Sequence, residues 1–595
     1  MASSSTTLPQ HIVIIGGVAA GATAAARLRR LNDQVRVTLI EQGPYVSYAN
    51  CGLPYHISGD IVQRGKLFMQ TPEGFHSRYV VDVKLNTAAL DVDVAGKRVL
   101  IQEPGESQPQ WLAYDKLILA QGGNAVTPSN MPGVDGTATR GVFKLWRVGD
   151  MDAISAYIET AKPKHAVVMG GGFVGLEMAE AFQMRGIHTT VVELAPTVMA
   201  TMDKGFGHRV AAELRKNGVD VFTGVAIKAY DGAAQEVEMS DGRRLPADLL
   251  LFSIGVRPEL GLAKKAGLLI SETTGALVVN DRLQTSDPNI YAAGDMVEVQ
   301  HHISGRAVRM GLAGPANRQG RIAASNVMGA DMRYPGVLGS SVCKIFEATV
   351  ASTGLSEKAA KAQLGEDAVG TAELVKGHHA DYFPGAKALT LKVVYDKQQG
   401  GKLLGAQAFG YAGVEKRIDA FAVALHGNMS LKDLAEVDFC YAPPYSSAND
   451  PLNLIAFVGM NDCSGFSPLA TPAQMQEALL SEHGTTGSGV IVESIAGKKA
   501  GNGAVVLDVR SLGEWNEGHV KGAKHVPIDE LRGQVTALAE ETAGKTIYVH
   551  CKGGYRGHLA LRILKEHGFQ AVYNVTGGFM AILAEGGIDV EKKAV

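Results

Sequence analysis

The chain has 595 residues, 46% hydrophobic and 20% charged, with a formal net charge of −3, 71 glycines and 5 cysteines. So few cysteines exclude a disulfide-stapled scaffold, so many apolar residues exclude a disordered chain, and near-neutral charge argues against binding nucleic acid by phosphate neutralisation. The length suggests three to five domains, enough for large cores.

The chain opens on a Ser/Thr leader, residues 1–10, expected to be disordered. The apolar stretch Ile12–Ala26 is shorter than the ~20 residues of a membrane span and lacks a basic flank. Neither a membrane partner nor export is therefore expected, and a reducing cytoplasm is the default compartment. His11–Ile15 reads as a buried strand. A turn with Gly16, Val18 and Gly21 follows, then an Ala-rich helix to about Leu31 and the strand Val35–Glu41.

Next comes Cys51, in the run Ser47-Tyr48-Ala49-Asn50-Cys51-Gly52-Leu53-Pro54-Tyr55. Disulfide reductases built on two dinucleotide-binding domains carry a C-x4-C pair at this point, but here the fifth residue on is His56. A single cysteine must form a mixed disulfide, a persulfide or a sulfenic acid. A helix start is expected to lower its pKa, as is the flavin that the run Thr285–Asp295, further along the chain, implies.

The first plan recurs further along. The strand His165–Met169 leads into Gly170, Gly172 and Gly175, a full G-x-G-x-x-G. A helix to about Arg185 and the strand Thr189–Glu193 follow. Strand, glycine turn, helix and acid-terminated strand make a dinucleotide-binding unit, with amides and a helix N-terminus facing the pyrophosphate. A carboxylate at Glu193 suits a ribose 2′-hydroxyl and repels a 2′-phosphate, which favours NADH. Val18 departs from the first turn's pattern, so that unit alone could be a structural turn. The run Thr285–Asp295, ending Gly294-Asp295, resembles the second flavin fingerprint of such flavoproteins. It assigns FAD to the first unit, with Glu41 and Asp295 as ligands.

Beyond Gly336, Leu389–Tyr395 and Leu403–Ala408 read as strands and Gly413–His426 as a helix. Residues 461–470 read as a linker, and Thr471-Pro472 as a helix start. Residues 484–489 and 496–503 read as loops. His301-His302 and His378-His379 have no companion ligands at metal-binding spacing and read as surface residues, so no metal is expected. Cys343, Cys440 and Cys463 default to buried structural thiols.

Gly16-Gly17-Val18-Ala19-Ala20-Gly21-Ala22, Asn50–Tyr55, Leu312–Arg321 and Tyr441-Ala442-Pro443-Pro444-Tyr445-Ser446 together resemble the single-cysteine coenzyme A-disulfide reductases, over about residues 10–460. The resemblance implies Cys51 as redox cysteine and Ala313 beside the flavin. It implies Arg27 and Arg30 on coenzyme A phosphates, with Thr23, Ser47 and Asn50 nearby. It also implies Tyr441 and Tyr445 reaching across a homodimer interface to polarise the departing sulfur. Tyr382-Phe383 stands where that family often has paired tyrosines. The arginines Arg27, Arg29 and Arg30 could instead be a solvated helix end.

The last segment carries Asp508-Val509-Arg510, Glu514-Trp515, Gly518–Ala523 and Cys551-Lys552-Gly553-Gly554-Tyr555-Arg556-Gly557, and resembles a single-domain rhodanese. A glycine-rich loop from Cys551 to Arg556 can turn amides toward one sulfur, with Lys552 and Arg556 adding charge. A phosphatase loop is one residue longer. The expected fold is α/β: two nested Rossmann-like domains (FAD, 11–160 and 285–332; NAD, 161–284), an α+β dimerisation domain (335–460) and a rhodanese domain (471–595). The expected function is NADH- and FAD-dependent reduction of persulfides, polysulfides or coenzyme A disulfide. The alternatives are an NADH oxidase or peroxidase cycling Cys51 through sulfenic acid, and a sulfur carrier or redox sensor with little turnover.

Overall fold

The computed structural model of the chain describes residues 8–128, 130–135, 139–482 and 503–592. The leader up to residue 7, the loop expected at 484–489, and residues 496–502 of the loop expected at 496–503 lie outside the described residues. The chain divides into two compact units, Met1–Pro196 with Gly218–Gly339, and Thr197–Asn217 with Ser340–Val595.

In the first unit two parallel sheets repeat one construction. One runs Ile290–Ala292, Lys116–Leu119, His11–Ile15, Arg36–Ile40, Asp82–Lys84. The other runs Asp220–Thr223, His188–Glu193, His165–Met169, Leu249–Phe252, Val142–Lys144. Each strand that precedes a glycine turn is central, and apolar runs such as Ile12–Ile14 and Val167–Val168 are wholly buried, as in strands covered on both faces. Chain order reverses beside each central strand, and the crevice at its carboxyl end is where such sheets hold ligands. The strand Val142–Lys144 joins the second sheet, although it precedes residue 160, where the sequence ends its first segment. Three residues carry too little periodicity to announce that boundary.

The helices Ala19–Leu31 and Ala313–Val327 approach so closely that a Cβ on Gly320 would stand 2.2 Å from the Ala20 carbonyl oxygen. Ala20, Ala293 and Ala316 form the small-residue contact there. This close approach sets the N-terminal part of one helix, Gly294 and the start of the other side by side.

The second unit contains an antiparallel sheet in the order Ser341–Ile345, Ala348–Gly354, Lys402–Gly410, Ala388–Asp396, Val369–Gly377. Its parallel sheet runs Leu469–Ala470, Val572–Val575, Thr546–His550, Ala504–Asp508, Lys524–His525. The helix Lys204–Lys216 also belongs to this unit. Buried Lys392 lies between Asp203, at 2.8 Å, and Glu357, at 2.6 Å. Lys392 and Lys361 hold the Glu357 carboxyl down at about 2, against the opposing effect of burial.

Residues 461–470 are not a free linker. The helix Pro451–Cys463 runs into them, Asp462 accepts from the Tyr395 hydroxyl at 2.7 Å and from the Leu469 amide at 2.9 Å, and Leu469–Ala470 pairs with Asn574–Val575. Among the described residues no helix is long and apolar enough to cross a membrane.

Candidate functional site

The two glycine turns make the same hydrogen bonds. The Gly16 amide donates to the Ile40 carbonyl (2.8 Å) and the Gly170 amide to the Val192 carbonyl (2.9 Å). Glu41 accepts from the Gly17 and Gly43 amides, both at 2.8 Å, while Glu193 accepts from the Gly171 amide at 2.6 Å and the Ala195 amide at 2.7 Å. Each carboxylate is thus fixed at its strand end, beside the turn. Gly16 and Gly170 have φ of +101° and +111°, and a Cβ on either would fall 2.2 Å from a neighbouring carbonyl oxygen. Gly21 and Gly175 allow the helix to pass over the turn, where the Gly16 and Gly170 oxygens would meet a Cβ at 1.8 and 2.1 Å. A Cβ on Gly172 would meet nothing within 4 Å, which leaves the turn open where a pyrophosphate approaches. Val18 takes the corresponding place in the first turn, as the N-cap of its helix.

Cys51 lies in a 3-10 turn, Asn50–Gly52, ahead of the helix Leu53–Ser58. It keeps an accessible face. Packing around the sulfur, followed by the carboxylates of Glu177 and Asp295, pushes the thiol up. The chain's own groups near the sulfur are acidic, and the short helix start does not outweigh them. Glu177, from the helix Phe173–Met184, accepts from the Tyr55 hydroxyl at 3.2 Å and is pushed up to about 7, chiefly by burial. Asp295 is pushed up by burial and drawn back by Arg309. The Gly294 amide donates to Gln319 at 2.7 Å. His56, where a second cysteine would stand, bonds the Ile61 carbonyl at 2.6 Å.

Ser47 adopts φ +49°; its amide donates to the Gly17 carbonyl at 2.8 Å, and its carbonyl accepts from the Met69 amide at 2.8 Å. Asn50 opens the 3-10 turn. The Thr23 hydroxyl donates to Asn317 (2.7 Å) and Arg27 to the Ser325 hydroxyl (3.2 Å), while Arg30 bonds the Ala26 carbonyl (3.1 Å). Loss of hydration, then Arg321 and Arg30, lower the Arg27 pKa, so three guanidiniums gather near the paired helices. Arg29 differs: it is buried and binds the Tyr79 and Val35 carbonyls and Asp33, a structural clamp. The sequence reading missed Arg321, although Asn317 and Arg321 stand four apart, on one helix face. Ala313 begins that helix.

In the second unit Tyr441 and Tyr445 are exposed, and the Tyr441 hydroxyl meets that of exposed Tyr382 at 2.7 Å. Behind them Asp450 accepts from the Ser446 hydroxyl at 2.6 Å and from fully buried Arg417 at 3.0 Å. Cys343 is buried, but Cys440 and Cys463 are exposed, one in an irregular segment and one ending a helix. His301 and His379 are buried rather than surface residues. The His301 ring takes the Ile303 and Ser304 amides, and the His379 ring packs edge-on against Phe383.

Cys551 follows the strand Thr546–His550 and is buried. The Gly554 amide donates to its Sγ at 3.2 Å, and Arg556 lies close enough to feel the sulfur. The Phe579 and Met580 amides, at the start of the helix Gly578–Glu585, take the Cys551 and Lys552 carbonyls at 2.7 and 3.2 Å. Arg556 shares its charge with Glu514 through two bonds of 2.7 and 2.8 Å, which hold the Glu514 carboxyl down at about 2. Lys552 is exposed. Asp508 and Arg510 form a buried pair, and the Arg510 guanidinium lies 3.9 Å from the centre of the Phe579 ring. Among the described residues, no group of three or more His, Cys, Asp or Glu could hold a metal ion.

A sequence profile for pyridine nucleotide-disulphide oxidoreductases matches residues 10–320, one for that group's dimerisation domain residues 340–451, and one for rhodanese-like domains residues 492–585. An NAD(P)H sulfur oxidoreductase (CoA-dependent) of Pyrococcus abyssi is 36% identical over 448 residues, 75% of this chain and 97% of that protein. The crystal structure of reduced Bacillus anthracis CoADR-RHD is 37% identical and has a TM-score of 0.89, over 97% of this chain and 98% of the other. An NAD-dependent persulfide reductase from A. fulgidus is 33% identical, with a TM-score of 0.83, over 96% and 99% of the two chains.

Proposed function

The chain belongs to the pyridine nucleotide-disulphide oxidoreductase family and carries a rhodanese-like domain, and from that premise we propose that it reduces persulfides, polysulfides or coenzyme A disulfide through Cys51, using NADH and FAD. One observation carries this reading. Cys51 stands near the part-buried Asp295 carboxylate with a hydrogen-bonded histidine, not a second thiol, at position 56. With no internal disulfide to open, two electrons delivered there go into a bond between Cys51 and a group from outside the chain, which in this reading is an external sulfur. The names of the relatives above point to the same chemistry.

The residues present fit both nucleotides. Glu41 and Asp295 are carboxylates placed at the first turn and beside Gly294, suited to the hydroxyls of FAD. The open space over Gly172 and the fixed carboxylate of Glu193 suit NADH. Bound together, NADH and FAD supply the electron pair.

The Cys51 thiolate attacks the outer sulfur of a persulfide or one sulfur of a disulfide. The substrate S–S bond breaks and the departing thiolate takes a proton. Tyr441 and Tyr445, supplied across a dimer interface, are the assigned proton donors, with Tyr382 holding Tyr441 by its hydroxyl. The bond now joining Cys51 to sulfur takes the electron pair and opens, releasing hydrosulfide or thiol. For a persulfide the balance is RSSH + NADH → RSH + HS⁻ + NAD⁺. Arg27, Arg30 and Arg321 gather cationic charge suited to coenzyme A phosphates, with Thr23, Ser47 and Asn50 alongside. At Cys551 the Gly554 amide and Arg556 favour an anionic sulfur, the form that accepts or donates sulfane sulfur.

The test is a steady-state comparison of kcat/KM for coenzyme A disulfide, coenzyme A persulfide, polysulfide, peroxide and oxygen. A sulfur acceptor leading by at least tenfold is expected. Oxygen or peroxide leading would replace this reading with an oxidase or peroxidase cycle.

A further inference from the structure

The helix Gly578–Glu585 is held at both ends by chain outside the rhodanese-like segment. At its start the Gly577 amide donates to the Glu373 carbonyl at 3.1 Å, and the Glu373 amide donates to the Thr576 hydroxyl at 2.6 Å. Glu373 lies in the antiparallel strand Val369–Gly377. At its end the Ala584 carbonyl bonds the His208 ring at 2.7 Å, from the helix Lys204–Lys216. These two supports are themselves joined. Arg209 binds the Glu373 carboxylate at 2.6 Å, with side chains only 12% and 10% exposed, so neither charge is left for water to neutralise.

The same helix start fixes the Cys551 loop. Phe579 and Met580 hold the Cys551 and Lys552 carbonyls, and a Cβ on Gly578 would stand 2.4 Å from the Cys551 oxygen. On the loop's other side, a Cβ on Gly553 would stand 3.2 Å from the Val375 carbonyl oxygen, two residues beyond Glu373. The loop is therefore clamped between a helix start anchored on Glu373 and the strand that carries Glu373. An amide cradle stabilises a sulfur anion only while its donors point at the sulfur, and a small misplacement is costly.

We infer that Glu373, Thr576 and Arg209 are positioning residues for sulfur transfer at Cys551, so that the antiparallel domain completes the geometry of the rhodanese-like site. The inference rests on Cys551 being the sulfur-accepting thiolate.

The test uses the full-length holoenzyme with thiosulfate and cyanide as probes. The Cys551 thiolate attacks the outer sulfur of thiosulfate, sulfite leaves with the bonding pair, and cyanide then removes that sulfur as thiocyanate, restoring the thiolate. Thr576→Val is expected to lower kcat about tenfold, with KM for thiosulfate within twofold, and Thr576→Ser to restore it. Alkylation of Cys551 by iodoacetamide, followed by mass spectrometry, should slow in parallel while alkylation of Cys51 is unchanged. Glu373→Gln keeps the side chain's shape and should give the same pattern if Thr576→Val does not fold. Both variants retaining kcat and Cys551 alkylation within twofold would overturn the inference. Cys551→Ser retaining sulfur transfer would remove the underlying assignment instead, and the alkylation rates would still report the loop's geometry.

Discussion

The two assigned cysteines sit in opposite electrostatic surroundings. Around Cys51 the protein supplies packing and the carboxylates of Glu177 and Asp295, all of which resist a thiolate. Around Cys551 it supplies a hydrogen-bond donor and a cation, the Gly554 amide and Arg556. On the proposed reading Cys551 carries sulfur and Cys51 passes electrons, so the acidic neighbours of Cys51 would have to be offset by the nucleotides and substrate of its reaction. That reading separates a carrier from a reductase within one polypeptide.

The sharpest way to break that separation is to remove each sulfur in turn. Cys51→Ser should lower NADH-driven persulfide reduction by about a thousandfold or more and leave thiosulfate–cyanide transfer within twofold, with Cys551→Ser doing the reverse to transfer. Assaying both activities on both proteins checks it. Either variant abolishing both reactions would mean one combined site. A smaller effect falls on the electron supply alone. The carboxylate of Glu193 should give NADH about a hundredfold advantage over NADPH in kcat/KM, through like-charge repulsion of a 2′-phosphate. Glu193→Ala should cut that preference below tenfold while sulfur transfer at Cys551 stays constant. Equal use of the two nucleotides by the parent enzyme would refute the role given to Glu193.

The same contrast explains what could be read from sequence. Cys551, Gly553, Gly554 and Arg556 fall within six residues of the chain, and each glycine turn is likewise local, so residue order exposes them. Glu177 and Asp295 approach Cys51 from 126 and 244 positions away along the chain, so no spacing shows that they oppose its ionisation. Arg29 looked like its neighbours Arg27 and Arg30, and only the fold reveals that the Val35 and Tyr79 carbonyls claim it. Residues 461–470 read as a linker because two edge residues and a helix end carry no periodicity; the partners that order them are Tyr395 and Asn574.

Glu177 offers a finer probe of the acidic surroundings. Its carboxyl, pushed up to about 7 by burial, is mostly ionised at pH 8 and then repels a Cys51 thiolate. Glu177→Gln removes that charge, so the thiol's pKa should fall and alkylation of Cys51 by iodoacetamide at pH 8 should quicken about threefold. At pH 6, where the parent carboxyl is mostly protonated, the two proteins should converge. A constant ratio across this range would show that Glu177 acts on Cys51 by packing rather than by charge.

The smallest effect belongs to the other cysteine's surroundings, where Glu514 pairs with Arg556. The Glu514 carboxyl is held down at about 2, from 4.5, so the pair's contribution is fully present at neutral pH and is lost as pH falls from about 4.5 to about 2. Both side chains are partly exposed, so solvent screening limits the contribution to about 0.5–1 kcal/mol. Glu514→Gln should lose that much at pH 7 in urea unfolding, and the gap from the parent should narrow as the buffer is taken to pH 3.5. Trp515, the next residue, reports it by fluorescence once Trp111 and Trp146 are replaced by Phe. The variant also frees Arg556 from its carboxylate, leaving more positive charge for the Cys551 sulfur. Alkylation of Cys551 should therefore speed up while stability falls. If both fall together, Glu514 acts by holding the loop in place, and charge at Cys551 comes from the amides alone.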